Sequence, residues 1–323
     1  MKLIKFSLLF LSICISASSF AQFRRAMPES FGNDLSFESI DSTKILEKLA
    51  IREARRKALR ERNIIDGGVS LVMTQAGFDN WAKGGENSFT GKMVLDLAYT
   101  HKIDKLTMDT KLEARYGVNI IDGDAFKNED KFTLNNQVAW SISERWSYSG
   151  ILNLRSQFTK GYASREDKTL KSKFMSPGYI DIALGFKLKG PNSPLTLTLS
   201  PITGSITTVL YKPLQELGNN GVPVGHSTES RLGSSIQMDF FHKFLKEKLS
   251  FKSYFYTFYN YSIPANFRWT NTIEIFATDF ITTTFYCDMI YDESIKTPNE
   301  NSSLQLNYTL GLTLTKKFSN QKK

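Results

Sequence analysis

The chain has 323 residues, a formal net charge of +9, 41% apolar residues and a mean hydropathy of −0.27. Its two cysteines are too few for a disulfide framework, and no apolar run reaches the ~20 residues that a membrane-spanning helix needs. Average hydropathy therefore points to a water-soluble chain, yet 24 Phe, 13 Tyr and 4 Trp are many aromatic residues for one.

The N-terminus reads as a leader. Lys2 and Lys5 precede an apolar run over 6–15, and small residues follow up to Ala21. This is the pattern of a cleaved secretory signal peptide over 1–21. Cys14 follows the bulky Ile13, which disfavours lipidation, and the mature chain keeps Cys287 alone. Residues 22–43 are polar and aperiodic. Over 44–63 the residues Ile45, Leu46, Leu49, Ala54, Ala58 and Leu59 recur at helical spacing among many Arg and Lys, which predicts a basic helix. Gly67-Gly68 reads as the separator between this extension, 22–66, and a second region, 67–323.

In the second region the period changes to two. Residues 105–118, KLTMDTKLEARYGV, place Leu106, Met108, Leu112, Ala114 and Tyr116 on one face and Lys105, Asp109, Lys111, Glu113 and Arg115 on the other. An average globular strand has about 5–6 residues. A tilted strand crossing a bilayer has about 9–11, with its apolar side to lipid and its polar side to the lumen. The pattern recurs over 69–77, 87–101, 131–143, 146–160, 178–189, 194–211, 228–243, 247–261, 266–278, 281–292 and 302–318. The expected fold is all-β: an antiparallel transmembrane barrel of about twelve strands with a short N-terminal helical extension. Alternation hides the apolar half of such a barrel from average hydropathy, and aromatic girdles at both interfaces use the aromatic residues. A soluble β-sandwich fits less well, because so many long strands alternate without buried-core strands.

Short joins at 102–104, 144–145, 190–193, 244–246 and 279–280 alternate with longer ones at 78–86, 119–130, 161–177, 212–227, 262–265 and 293–301. Short turns face the periplasm in such barrels, so both termini are expected there, in an outer-membrane protein. The inward parity collects Lys92, Asp96, Asp109, Lys111, Glu113, Arg115, Arg155, Asp181, Arg231, Asp239, Arg268, Glu274 and Asp288 as lumen-lining candidates.

Several segments resemble one family. They are 80–88 (NWAKGGENS), 156–162 (SQFTKGY), 199–204 (LSPITG), 290–293 (IYDE) and the closing strand 310–318 (LGLTLTKKF). In this order they resemble Bacteroidota outer-membrane proteins of the family known as domain of unknown function 3078, over roughly 66–318. The resemblance implies a barrel in the outer membrane. It brings no activity, substrate or catalytic residue.

Asn80, Trp81, Gly84, Gly85 and Asn87 form an outer-loop motif, read as a tight loop at the barrel mouth or a surface contact. His226-Ser227 invites comparison with barrel lipases, but adjacent strand residues point to opposite faces, and no nucleophile-base-acid constellation is evident. No enzyme activity and no cofactor are expected, and any metal is unknown: Asp288, Asp292, Glu293 and Glu300 match no defined calcium loop. Two functional expectations remain: a narrow channel for small polar or anionic solutes, and a non-transporting scaffold docking periplasmic or surface partners. A barrel lipase or deacylase is a distant third. The expected partners are outer-membrane lipid and lipopolysaccharide, the barrel-assembly machinery that reads the closing aromatic strand, and a periplasmic protein on helix 44–63. Export argues against nucleic acid.

Overall fold

A computed structural model describes residues 42–76, 88–121, 123–164, 166–218, 221–261, 263–292 and 304–321. The leader, the polar segment up to residue 41 and the loop motif at Asn80, Trp81, Gly84, Gly85 and Asn87 lie outside the described residues.

Helix α1 spans Ser42–Arg62, close to its predicted range. It straddles two compact units, 1–53 and 54–323. The second unit is a closed antiparallel barrel of twelve strands: β1 (Asn63–Ala76), β2 (Ser88–Ile103), β3 (Leu106–Ile121), β4 (Asp124–Ser141), β5 (Trp146–Ser156), β8 (Gly178–Lys189), β9 (Leu195–Thr208), β10 (Thr228–Phe244), β11 (Leu249–Asn260), β12 (Ile263–Phe276), β13 (Ile281–Tyr291) and β14 (Leu304–Ser319). Two further short strands, β6 (Gly161–Tyr162) and β7 (Leu170–Ser172), pair with each other outside the barrel, and a one-turn helix, α2, covers Lys212–Gln215. Every barrel strand pairs with its sequence neighbour, and β1 closes the ring against β14. Closure leaves no unpaired edge, which a membrane-embedded sheet requires.

Length and alternation do the rest. Strands of 11–18 residues carry outward side chains that are apolar and exposed. On β14 these are Leu304, Leu306, Tyr308, Leu310, Leu312 and Leu314. Inward residues on the same strand, Thr313 and Thr315, are buried. A water-soluble barrel would invert this order, so the architecture is that of an outer-membrane barrel.

Three expectations are corrected. The chain enters β1 directly from α1 at Asn63, so Gly67-Gly68 lies inside a strand and separates nothing. A Cβ at Gly67 would collide with the ring of Phe318, its register partner across the closing seam. Glycine there admits the last aromatic of the chain. Second, 119–130 is not a long loop. Strands β3 and β4 stay paired up to Ile121 and Asp124, through a bulge between Gly117 and Val118 opposite Lys127 and Glu129. Third, β12 begins at Ile263, so the join expected at 262–265 is shorter still.

Another irregularity accounts for the LSPITG segment. Pro201 has no N–H for a ladder, and both neighbouring ladders shift register beside it, at Leu184/Phe186 and at Gly233/Ser235. A Cβ on Gly185 would run into the carbonyl of Leu199. Glycine lets β8 approach the bulged backbone that the proline creates.

The barrel has two unlike ends. The terminal end, where Asn63 and Ser319 lie, carries only short turns. The loop end carries the long connections. Among the described residues these fold on themselves: Val209, Leu214 and Val222 form a small core with Leu170 and Tyr211 packed on it. Asp130 fixes the start of the 157–177 connection, accepting from the N–H groups of Phe158 and Thr159 (2.8 Å each), the Thr159 hydroxyl (2.7 Å) and Lys127 Nζ (2.9 Å). Farther along it, Thr169 hydrogen-bonds Asp167 and lowers its pKa below the ordinary carboxylate value.

Candidate functional site: the barrel lumen

A barrel of eight strands is filled by its own side chains, whereas a wider one leaves space. At twelve strands only long side chains from facing walls can meet. Two contacts here do so between strands five places apart around the ring, almost diametrically opposed. Toward the terminal end, Lys111 of β3 reaches Asp239 of β10 at 3.0 Å. Nearer the loop end, Lys131 of β4 donates to the hydroxyl of Tyr286 on β13 at 3.2 Å. Both contacts cross the lumen as bars.

The two bars differ in setting. The Lys111 side chain is 51% exposed, so its ion pair is solvated and worth at most about 1 kcal/mol. Asp239 also accepts from Gln237 at 2.9 Å. Close by, Asp109 accepts from Lys187 of β8 at 3.0 Å and from Thr100 at 2.7 Å.

The Lys131 bar belongs to a largely buried cluster, whose charged side chains are 6–23% exposed. Glu113 accepts from Lys131 (3.1 Å) and from Arg115 Nε (2.5 Å). The Arg115 guanidinium stacks over the Tyr286 ring, 3.8 Å from its centre. Lys92 bonds Glu129 at 2.8 Å and donates to Thr309 at 2.6 Å. Arg268 donates from Nε and Nη2 to both oxygens of Asp288, at 3.1 and 2.5 Å, and the Thr270 hydroxyl donates to the same carboxylate. Charges so poorly hydrated persist only when each has a counter-charge and hydrogen bonds within reach. Beside this cluster lies a cavity of about 260 Å³, lined by Asn128, Glu129, Asp130, Lys131, Arg268, Tyr286, Asp288 and Asn307. A smaller one of about 50 Å³ touches Asp96, Glu274 and Arg115.

Of the remaining lumen candidates, Arg155 stacks on Tyr179 at 4.8 Å, and Asp181 is 2% exposed and accepts from Ser205. Glu274 accepts from Ser250 (2.9 Å) and meets Lys317 at 3.4 Å. Arg231 departs from the others: it donates to the Gly221 carbonyl at 3.3 Å and so serves the loop-end cap.

Sequence reasoning missed Glu129, Lys131 and Tyr286 as members of the cluster. Glu129 fell in the expected loop, and the bulge beside it breaks the parity. Tyr286 stands between outward Phe285 and Cys287, so alternation alone assigns it to the lumen. No group of three His, Cys, Asp or Glu side chains is placed to share a metal ion among the described residues. Glu293 and Glu300 lie outside them.

The family described as "Protein of unknown function (DUF3078)" matches residues 73–162, which include the NWAKGGENS and SQFTKGY segments. No curated protein matches the chain. Among solved structures, the translocator domain of the autotransporter NalP from Neisseria meningitidis aligns at 11% identity and a TM-score of 0.32, over 88% of this chain and 100% of that one. An outer membrane channel from Pseudomonas putida F1 aligns at 11% and 0.38, over 79% and 95%. The KdgM porin aligns at 8% and 0.31, over 77% and 98%. At these identities and scores the likeness bears on neither function nor mechanism. What the chain shares with the family is the matched segment, which covers β2, β3, β4 and β5 of the barrel.

Proposed function

We propose that the protein is a narrow outer-membrane channel for small polar or anionic solutes, of the Bacteroidota type that its motifs resemble, with the terminal end in the periplasm. The observation that supports this most is the solvated Lys111–Asp239 bar. A structural plug would gain from dry, fixed packing, whereas this bar joins opposite walls through one flexible, half-exposed lysine. At most about 1 kcal/mol holds it, so thermal motion opens it often. Lumen cations such as Lys111, Arg115 and Arg155 would give a passing anion local contacts, among carboxylates that pair with most of the cations and keep the passage narrow. In this reading lipid and lipopolysaccharide surround the barrel, and assembly machinery inserts it.

Planar-bilayer recording of the purified protein tests the proposal. Discrete openings of small conductance, with an anion preference that weakens in Arg115→Glu and Arg155→Glu, are the expected result. A sealed barrel at high salt, or selectivity indifferent to both substitutions, would overturn it.

One observation favours a second reading, a scaffold that docks surface partners. The loop-end cap has its own core at Val209, Leu214 and Val222, and a clasp at Asp130, which is more order than a channel rim requires. Cross-linking in the native membrane separates the two: a reproducible partner on a non-conducting barrel would favour the scaffold.

A further inference from the structure

Four of the five turns at the terminal end carry or adjoin a cation, and the fifth, 277–280, carries Asp279 instead. Lys102 and Lys105 flank Asp104 between β2 and β3, and Arg145 follows Glu144 between β4 and β5. Lys189 ends β8. Lys243, Lys246 and Lys248 surround Glu247 between β10 and β11, and Lys316 and Lys317 stand near the end of β14. All of these cations are exposed. The last turn of α1 adds Arg60 and Arg62, and two side chains tie that turn to the rim: Asn63 donates to the Leu59 carbonyl (2.9 Å) and Gln321 to that of Arg60 (2.8 Å). At the loop end both signs occur among the described residues, Lys160, Lys168, Lys171, Lys173 and Lys212 with Glu166, Asp167 and Glu216.

The second observation is what stands beside the cations. Exposed apolar or aromatic side chains stand beside the turn cations and on the same face as Lys316: Trp146 next to Arg145, Leu245 next to Lys246, and Leu314 and Phe318 two positions to either side of Lys316. Lys102, Lys105, Lys189, Lys243 and Lys317 instead take the inward parity and ring the mouth. Trp140, Tyr148 and Phe186 lie in register across β4, β5 and β8 and complete an outward aromatic row. A soluble polyanion would meet charge alone. A lipid monolayer meets both, its acyl chains against the rings and its headgroup phosphates against ammonium and guanidinium groups that snorkel to them.

We propose that the terminal end is a cationic collar that recruits anionic phospholipids of the leaflet it crosses. The inference rests on the membrane-embedded reading of the barrel but not on conduction. Each collar cation contributes up to about fivefold in affinity for an anionic surface, the equivalent of about 1 kcal/mol. Salt weakens the contribution, because the groups are exposed.

The chain carries its own probe. With Trp81→Phe and Trp269→Phe, only Trp140 and Trp146 remain, both at the terminal end. The full-length protein is reconstituted into phosphatidylcholine vesicles containing brominated phosphatidylglycerol or, in parallel, brominated phosphatidylcholine. The collar predicts several-fold preferential quenching by the anionic lipid. High salt should reduce that preference, and a variant combining Arg145→Gln, Lys246→Gln, Lys248→Gln and Lys316→Gln should abolish it while keeping a heat-modifiable barrel. Equal quenching by the two lipids, or a preference that survives the fourfold substitution, would overturn the collar. Equal quenching accompanied by loss of co-sedimentation with peptidoglycan in the variant would overturn it in favour of a cell-wall contact. Absence of quenching by either lipid would overturn the embedding itself, a different failure.

Discussion

Removing the carboxylate of Asp288 should be among the most costly single changes in the lumen. Asp288 accepts two hydrogen bonds from Arg268 and one from Thr270, and the two charged side chains are only 8% and 11% exposed. Alanine at 288 strands a guanidinium close to Lys131, itself a cation. Breaking one side of a buried pair costs about 3–5 kcal/mol. The adjoining cavity of about 260 Å³ has room for water to rehydrate the arginine, so the lower limit, about 3 kcal/mol, is expected. Asparagine keeps an acceptor oxygen and should lose about 2 kcal/mol, the share due to charge-assisted bonding. Combining Arg268→Met with Asp288→Leu removes both charges and should return stability to within about 1 kcal/mol of the parent. Equilibrium urea unfolding in lipid vesicles, followed by tryptophan fluorescence, measures all four proteins. An Asp288→Ala cost below about 0.5 kcal/mol would mean a weak, solvated pair and would rule out a buried one. A double variant no more stable than Asp288→Ala would do the same.

Other parts of the molecule lead to three further expected outcomes. Asp130→Ala removes the acceptor that anchors Phe158 and Thr159, so limited proteolysis should cut the 157–177 connection at least several-fold faster while the barrel stays resistant. Gly185→Val drives a side chain into the Leu199 carbonyl and should cut the yield of heat-modifiable barrel severely, whereas Gly150→Ala, whose added methyl meets only ordinary contact with Leu184, should be tolerated. Deletion of 23–62 removes α1 but leaves Asn63, which accepts from Tyr99 and hydrogen-bonds His101, so the truncated chain should still reach the outer membrane as a heat-modifiable barrel. Periplasmic degradation of that chain would make the helix part of the fold.

Where a strand crosses lipid, its sequence is transparent. Residues 106–116 alternate with one exception, Thr110, which stands on the outward face and accepts from Asn136 across the ladder, because outward positions favour apolar groups and inward ones face a polar lumen. Legibility ends where strands leave the bilayer. Beyond Gly117 the residues no longer alternate and a bulge shifts the parity, so 119–130 reads as a loop, although the ladder continues to Asp124. Gly67 misleads for a different reason. Local propensity reads a glycine pair as a break, while its cause is Phe318, 251 positions away in sequence and adjacent only after closure. The lumen is partly legible in the same sense. Parity names Lys111, Arg115, Asp239, Arg268 and Asp288 as facing inward, but which of them meet is a property of the ring. That Lys111 finds Asp239 depends on the number of strands between them on either side, and no local pattern carries that number.

In the channel reading, long polar side chains meeting from opposite walls set the width of an otherwise continuous lumen. The decisive measurement is the single-channel conductance of Lys111→Ala combined with Tyr286→Ala, compared with the parent protein under the same salt. Both bars are then cut, one at each level. Discrete openings are expected in the parent and a severalfold larger conductance in the double variant, with each single change intermediate. A double variant that folds as a heat-modifiable barrel and conducts no better than the parent would show that the bars do not set the width.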